Sequence, residues 1–250
     1  WPASDILLSA PHGTCKPSIP IGRLAAINPE EIKHYLGKIR EYEQVQQTPS
    51  PSVSDKAWMK NFIHVVGGKD SSENTAFRNY MRNYENIAKD TLYGAYVETF
   101  TKTSASAVQQ AFGDRIEQLF NEGLSFIGYF GHSSANTFEF NLSNPELYHN
   151  QGKYPFFNVS GCSAGNYYIF DPLRPSGNLT LSEKYVLAQN RGSIGFLADN
   201  HFGIPPFLNF YNNALYKNFS YKLYGDCIGN QIKSLSSDLG GANPSLDYYT

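Results

Sequence analysis

His132 and Cys162 are the two side chains of this 250-residue sequence best suited to doing chemistry together. His132 lies in Gly128-Tyr129-Phe130-Gly131-His132-Ser133-Ser134, and Cys162 in Val159-Ser160-Gly161-Cys162-Ser163-Ala164-Gly165. A thiol becomes nucleophilic once deprotonated, and an imidazole beside it can take or stabilise that proton. The glycine ahead of each residue lets the backbone turn sharply and approach a substrate closely. In that geometry the main-chain N–H groups of Ser133 and Cys162 would face the oxyanion of an acyl-transfer intermediate. His132 would then protonate the leaving amine. Either residue alone reads as ordinary core. Together, at two strand exits, they read as a Cys–His dyad cleaving a peptide bond.

A competing pattern overlaps the same residues. Gly161-Cys162-Ser163-Ala164-Gly165 fits G-x-S-x-G, the nucleophile elbow of α/β-hydrolases. Ser163 would be the nucleophile of a serine esterase, Asp171 or Asp199 the acid and His201 the base. The pattern has two wildcards in a Gly- and Ser-rich chain, and it leaves the Gly131-His132 exit unexplained. Other chemistry finds less support. Gly67-Gly68-Lys69 lacks the spacing of a phosphate-binding loop, and no G-x-G-x-x-G follows a strand. The six histidines form no H-E-x-x-H or Cys/His ligand pattern, so no metal and no cofactor are expected. Four glycosylation sequons (Asn141, Asn158, Asn178, Asn218) read as incidental, because Asn158 falls inside an expected buried strand.

The elements that must position the pair follow from hydrophobic periodicity. Asn61–Val66, Tyr93–Thr99, Leu124–Phe130, Phe156–Ser160 and Ser193–Ala198 read as strands, with an earlier candidate at Asp5–Ser9. Glu30–Gln47 (with Pro29 in the first turn), Glu73–Ala88, Ser104–Asn121, Leu181–Asn190, Phe207–Tyr216 and Ile228–Ser236 read as helices. Strands alternating with helices predict an α/β fold: a doubly wound, mostly parallel sheet with helices on both faces. Sites in such sheets lie outside the carboxyl ends of the strands. The two exits therefore share one edge. Asp199, at the exit of the last strand, is a candidate floor for a basic side chain. Tyr167, in the aromatic run after Cys162, is a candidate wall.

Composition narrows the class. Apolar residues make up 41% and charged residues 17%, as in a folded globular chain. A net charge of −2 with no Lys/Arg cluster excludes a nucleic-acid footprint. No apolar run approaches the roughly 20 residues of a membrane-spanning helix. The proline- and serine-rich stretch from Thr48 to Ser54 suggests a linker, giving an N-terminal segment (1–48), a linker (49–56) and a main α/β domain (57–250). The chain opens on Trp-Pro-Ala-Ser-Asp, without initiator Met or signal-like segment, and reads as a mature form or one part of a larger multidomain chain. Three cysteines leave an odd thiol, and Cys162, unlike Cys15 and Cys227, sits where chemistry would want it.

An ordered set of motifs then resembles a known family. It comprises Ile19-Pro20-Ile21-Gly22-Arg23, Lys38-Ile39-Arg40-Glu41-Tyr42-Glu43, the Gly-His exit, the Cys exit, Leu181-Ser182-Glu183 and Gly192-Ser193-Ile194-Gly195. The series resembles the gingipain-like cysteine peptidases of family C25, over nearly the whole chain. The resemblance implies a caspase-like fold, His132 and Cys162 as the catalytic pair, and a polypeptide substrate. It also implies a secreted, periplasmic or outer-membrane-surface location in a Bacteroidetes-type bacterium, and calcium as a possible ligand. The family includes endopeptidases and the sortase-like peptidase that processes cargo of type IX secretion. Two departures stand out. Ser18 occupies the segment where the family often carries an acid able to orient the histidine, and Ser133 replaces a glycine. A substitute acid such as Glu139, or a catalytically silent binding module, is the expectation those departures raise.

Overall fold

The structure, a computed structural model, describes residues 4–12, 14, 16–50, 52–90, 92–104, 106–142, 144–168 and 174–239. Five strands alternate with helices: α1 (Pro29–Gln47), β1 (Asn61–Gly67), α2 (Ser71–Ala88), β2 (Tyr96–Thr101), α3 (Ser106–Glu122), β3 (Phe126–Gly131), β4 (Phe156–Ser160), α4 (Leu181–Leu187), β5 (Gly195–Ala198), α5 (Pro205–Lys217) and α6 (Ile228–Leu239). The strand expectations for the main domain hold to within a few residues. The candidate at Asp5–Ser9 does not: Ile6–Leu8 form a single 3₁₀ turn. Alternation over so few residues fits one turn as well as it fits a strand. Val53–Lys60, at the end of the expected linker, is likewise 3₁₀.

All strands are parallel, in the order β2-β1-β3-β4-β5. Parallel crossovers are right-handed, so reversing the direction of travel moves the helix to the other face. The chain steps one way from β1 to β2 through α2, then back across β1 to β3 through α3. Accordingly α2 and α3 lie on opposite faces. Ile63, Val65, Ile127, Tyr129, Phe157 and Val159 point toward Ile116, Leu119 and Phe120 of α3 and Leu181 and Tyr185 of α4. Their alternate neighbours Phe62, Val66, Phe126 and Phe130 pack on Phe77, Met81 and Tyr84 of α2 and on Leu208 and Tyr216 of α5. The period-2 alternation of side chains thus feeds two separate cores.

Several polar groups enter the second core with partners. The Tyr216 phenol pairs with His64 Nε2 at 2.8 Å, and Asn212 bridges Asn158 and Ser160 of β4 at 2.6 Å each. Asn158 is buried in this way and could not carry a glycan while folded.

The N-terminal segment is fastened to the main domain. Lys38, 1% exposed, donates to the carbonyls of Tyr185, Val186 and Ser193 at 3.2, 3.0 and 2.8 Å. Arg174 spans Glu31 of α1 and Glu183 of α4 at 3.0 and 2.7 Å. Replacing Lys38 by Met keeps the packing volume but strands buried carbonyl groups, which cost about 1–3 kcal/mol each when left unpaired. Lys38→Met is expected to lower unfolding stability by about 2–4 kcal/mol, read as a lower urea midpoint at unchanged slope.

Candidate active site

The strand order reverses between β1 and β3, and their register sets Gly67 opposite Gly131. That pairing brings two chain exits side by side. β1 leaves through Gly68-Lys69-Asp70 into α2, and β3 leaves directly into His132. His132 N–H donates to Gly67 C=O at 2.9 Å, so the histidine begins its loop tied to the neighbouring strand.

A carboxylate waits across that gap. The Asp70 side chain caps α2, accepting from Glu73 N–H at 2.9 Å. Glu73, in the first turn, folds back over the cap. Its carboxylate accepts from Lys69 N–H at 3.0 Å, lies 3.0 Å from the Lys69 ammonium and 2.8 Å from His132 Nε2. The hydrogen bond from the Lys69 amide, with those from His132 and the Lys69 side chain, holds its pKa down to about 2 against some desolvation. The helix N-terminus favours negative charge at the same place. An ionised acceptor on Nε2 makes that nitrogen the N–H and leaves Nδ1 for proton transfer.

Glu139, the substitute acid anticipated from sequence, is paired elsewhere. Its carboxylate forms an ion pair with Lys102, at the exit of β2, which pulls its pKa down. Among the described residues the carboxylate in contact with the His132 ring is therefore Glu73, not a residue of the segment around Ser18 or Glu139. Glu73 was missed because its position, three residues past Asp70, reads as a helix cap. Only the strand order sets that cap beside His132.

Cys162 follows β4 as a free, half-buried thiol, 4.0 Å from the Gly203 carbonyl. Ser133 Oγ donates to Cys162 C=O at 2.9 Å and so ties the histidine loop to the cysteine loop. A Cβ on Gly161 would collide with Ser133 Oγ and lie 2.6 Å from Gly131 C=O, so this approach needs a glycine. The main-chain N–H groups of Ser133 and Cys162 have no hydrogen-bond partner among the described residues. Ser163 has a φ of 57°, held by its N–H donating to His201 C=O at 2.7 Å. Its hydroxyl meets the same carbonyl at 3.4 Å, a contact with the main chain of His201 and not with its ring. Asp171 and Cys15 lie outside the described residues. Cys227 is a free, exposed thiol at the start of α6.

A cavity of about 1620 Å³ runs from the starts of the strands, at Phe62, Phe126 and Phe156, to Asp199, His201 and Tyr167 past the end of β5, and neither His132 nor Cys162 lines it. Asp199 accepts from Gly165 N–H at 2.9 Å through its carbonyl, while burial pushes its carboxyl well above the usual range. The Tyr167 hydroxyl meets the Asp5 carboxylate at 3.2 Å, its ring stacks on Tyr168 at 4.4 Å, and Arg23 pairs with Asp5 at 2.8 Å. Among the described residues no group of three or more His, Cys, Asp or Glu could hold a metal ion. No helix among them is long and apolar enough to cross a membrane.

The sequence matches peptidase family C25 over residues 1–245. The fold recurs in three solved structures. One, described as the structure of a protease, has a TM-score of 0.74 and 15% identity and is aligned over 99% of this chain and 56% of its own. A second is the Arg-specific cysteine proteinase gingipain R, with a TM-score of 0.67, 13% identity and coverage of 98% and 56%. The third is the complex of the pro- and mature domains of Porphyromonas gingivalis RgpB, with a TM-score of 0.71, 13% identity and coverage of 98% and 58%. At such identity the likeness is one of fold, and it bears out the caspase-like α/β expectation. The chain spans little more than half the length of these structures. No curated protein matches it.

The Glu73–His132 contact makes a prediction about acid. A carboxyl with a folded pKa near 2 stays ionised, and contributes stability, at every pH above its unfolded value of about 4.3. That contribution is lost only as pH falls toward 2. The ¹³C resonance of the Glu73 carboxyl should therefore titrate below pH 3, and a midpoint near 4.5 would show that His132 and Lys69 do not hold it.

Proposed function

As the chain belongs to peptidase family C25, we propose that it is a cysteine peptidase domain in which Cys162 is the nucleophile, His132 the acid–base residue and Glu73 the group that orients His132. The supporting observation is the 2.8 Å contact between Glu73 and His132 Nε2, on a loop tied through Ser133 to the loop of a free thiol. His132 Nδ1 takes the thiol proton and the sulfur adds to the scissile carbonyl. The oxyanion is received by the Ser133 and Cys162 N–H groups. Return of the proton to the leaving amine gives a thioester, which water, activated by the same imidazole, hydrolyses.

The substrate is a polypeptide. A cavity of about 1620 Å³ that reaches Asp199 past the end of β5 offers it room. Tyr167 forms part of its wall, and Asp199 is the candidate for meeting a basic side chain. Burial raises the pKa of the Asp199 carboxyl, so the charged form that would meet such a side chain is favoured as pH rises. Apparent affinity for substrates with Arg or Lys before the scissile bond should then rise with pH through that elevated pKa. Affinity for substrates with a neutral residue there should stay flat, and Asp199→Asn should erase the difference. The family resemblance supports an exported enzyme, secreted or held in the periplasm or at the outer-membrane surface, within a larger chain. Processing of type IX secretion cargo is one role that would fit it.

Purified protein and a fluorogenic peptide library test the central reading. Cys162→Ala and His132→Ala should each reduce hydrolysis to background, and Glu73→Gln should lower kcat by about 10²-fold through loss of the tautomer-setting acceptor. Survival of activity in Cys162→Ala, with labelling of Ser163 by a fluorophosphonate, would replace the dyad with the serine-esterase alternative. Absence of any hydrolysis, with ordinary iodoacetamide reactivity at Cys162, would make the domain a binding module.

A further inference from the structure

Tyr129 is spent on more than packing. It is 1% exposed on the α3 face of β3, its ring 4.6 Å from that of Phe138. Phenylalanine would fill that volume equally well. The hydroxyl extends beyond the packed ring, along the strand to its end. There it donates to His132 C=O at 2.5 Å and accepts from Glu139 N–H at 3.2 Å. Burial raises the phenol far above its ordinary range, so it is a protonated donor at any working pH. Glu139 N–H also reaches His132 C=O, at 3.0 Å, closing the small antiparallel turn in which Ser133 bridges Phe138.

The neighbouring strand makes room for this hydroxyl. A Cβ on Gly67 would collide with Tyr129 Oη. The same Gly67 accepts the His132 N–H through its carbonyl at 2.9 Å. Both main-chain groups of His132 are thus fixed from one place: its N–H by Gly67 and its C=O by the phenol that Gly67 admits. With the main chain so held, the origin of the imidazole is fixed, and from there its ring meets Glu73 at 2.8 Å.

We infer that Tyr129 is a positioning residue for His132, acting through the His132 carbonyl, with Gly67 as the slot that admits its hydroxyl. The inference rests on the proposed role of His132 but concerns a different contact. A catalytic imidazole displaced by about 1 Å can lose up to 10²-fold in rate. A residue that only filled space would lose nothing on becoming phenylalanine.

Tyr129→Phe tests this. It should lower kcat about tenfold with KM changed less than about twofold, the fold-change expected for losing one well-placed hydrogen bond. It should also shift the His132 ring resonances in a ¹H–¹³C NMR spectrum at fixed pH. Wild-type kcat together with unmoved His132 resonances would overturn the inference. The NMR measurement needs no turnover. If Cys162→Ala retains hydrolysis, the dyad fails while the histidine resonances still judge Tyr129. Should Tyr129→Phe not fold, hydrogen exchange in the unaltered protein decides. A protected Tyr129 hydroxyl proton and Glu139 amide support the inference, and rapid exchange of both overturns it.

Discussion

The pairing of β1 with β3 at the point where strand order reverses is the constraint on which the candidate site depends. Parallel strands in register deliver their carboxyl ends to one edge, and here the register sets Gly67 beside Gly131. One step further along each chain lie the α2 cap and His132. A slip of one residue would turn Tyr129 to the other face and carry His132 away from Glu73. The register is itself secured by burial: Ile63 and Val65 on one face, and Phe62 and Val66 on the other, are almost wholly enclosed. Residues with no chemistry of their own therefore set the geometry of those that have it.

Two acids at this edge are each paired with a lysine. Glu73 has Lys69 and the start of α2, and Glu139 has Lys102. His132 lies between the two acids, with its ring bonded to one and its main chain to the amide of the other. Such pairs at a partly exposed surface add little to stability. Their effect here is directional. Glu73, already held by a backbone amide and a lysine, has little freedom to turn from the imidazole. Holding a base in this way lowers the reorganisation required when its charge changes.

Much of this architecture was legible in the sequence because it follows from repetition. Apolar runs such as Asn-Phe-Ile-His-Val-Val and the helical spacing of α3 fix element type over many residues, and the Gly-His and Gly-Cys exits are visible as punctuation. What was not legible depends on which strands are neighbours. Glu73 is an unremarkable first-turn acid until β1 and β3 are adjacent. Tyr129 reads as core, which it also is. The Asp5–Ser9 segment was too short for periodicity to separate a strand from a 3₁₀ turn. Ser18 stands where the family pattern would put an acid, whereas this fold sets the first turn of α2 beside the histidine.

The loop after Cys162 is supported from outside the sheet. Asp5 receives hydrogen bonds from both Tyr167 and Tyr168 and an ion pair from Arg23, whose guanidinium lies 5.1 Å from the centre of the Tyr168 ring. Tyr167 and Tyr168 come five and six residues after the thiol, so their placement bears on the wall of the adjoining cavity. Ile6 and Ile21, from the same N-terminal stretch, line that cavity as well. Removing the stretch would leave Tyr167 and Tyr168 without the acid that gathers their hydroxyls. The sheet positions His132, Cys162 and Glu73, and the N-terminal segment supplies part of the cavity wall. A boundary drawn at the linker separates those two contributions in sequence but not in the folded protein, where Lys38 and Arg174 hold them together.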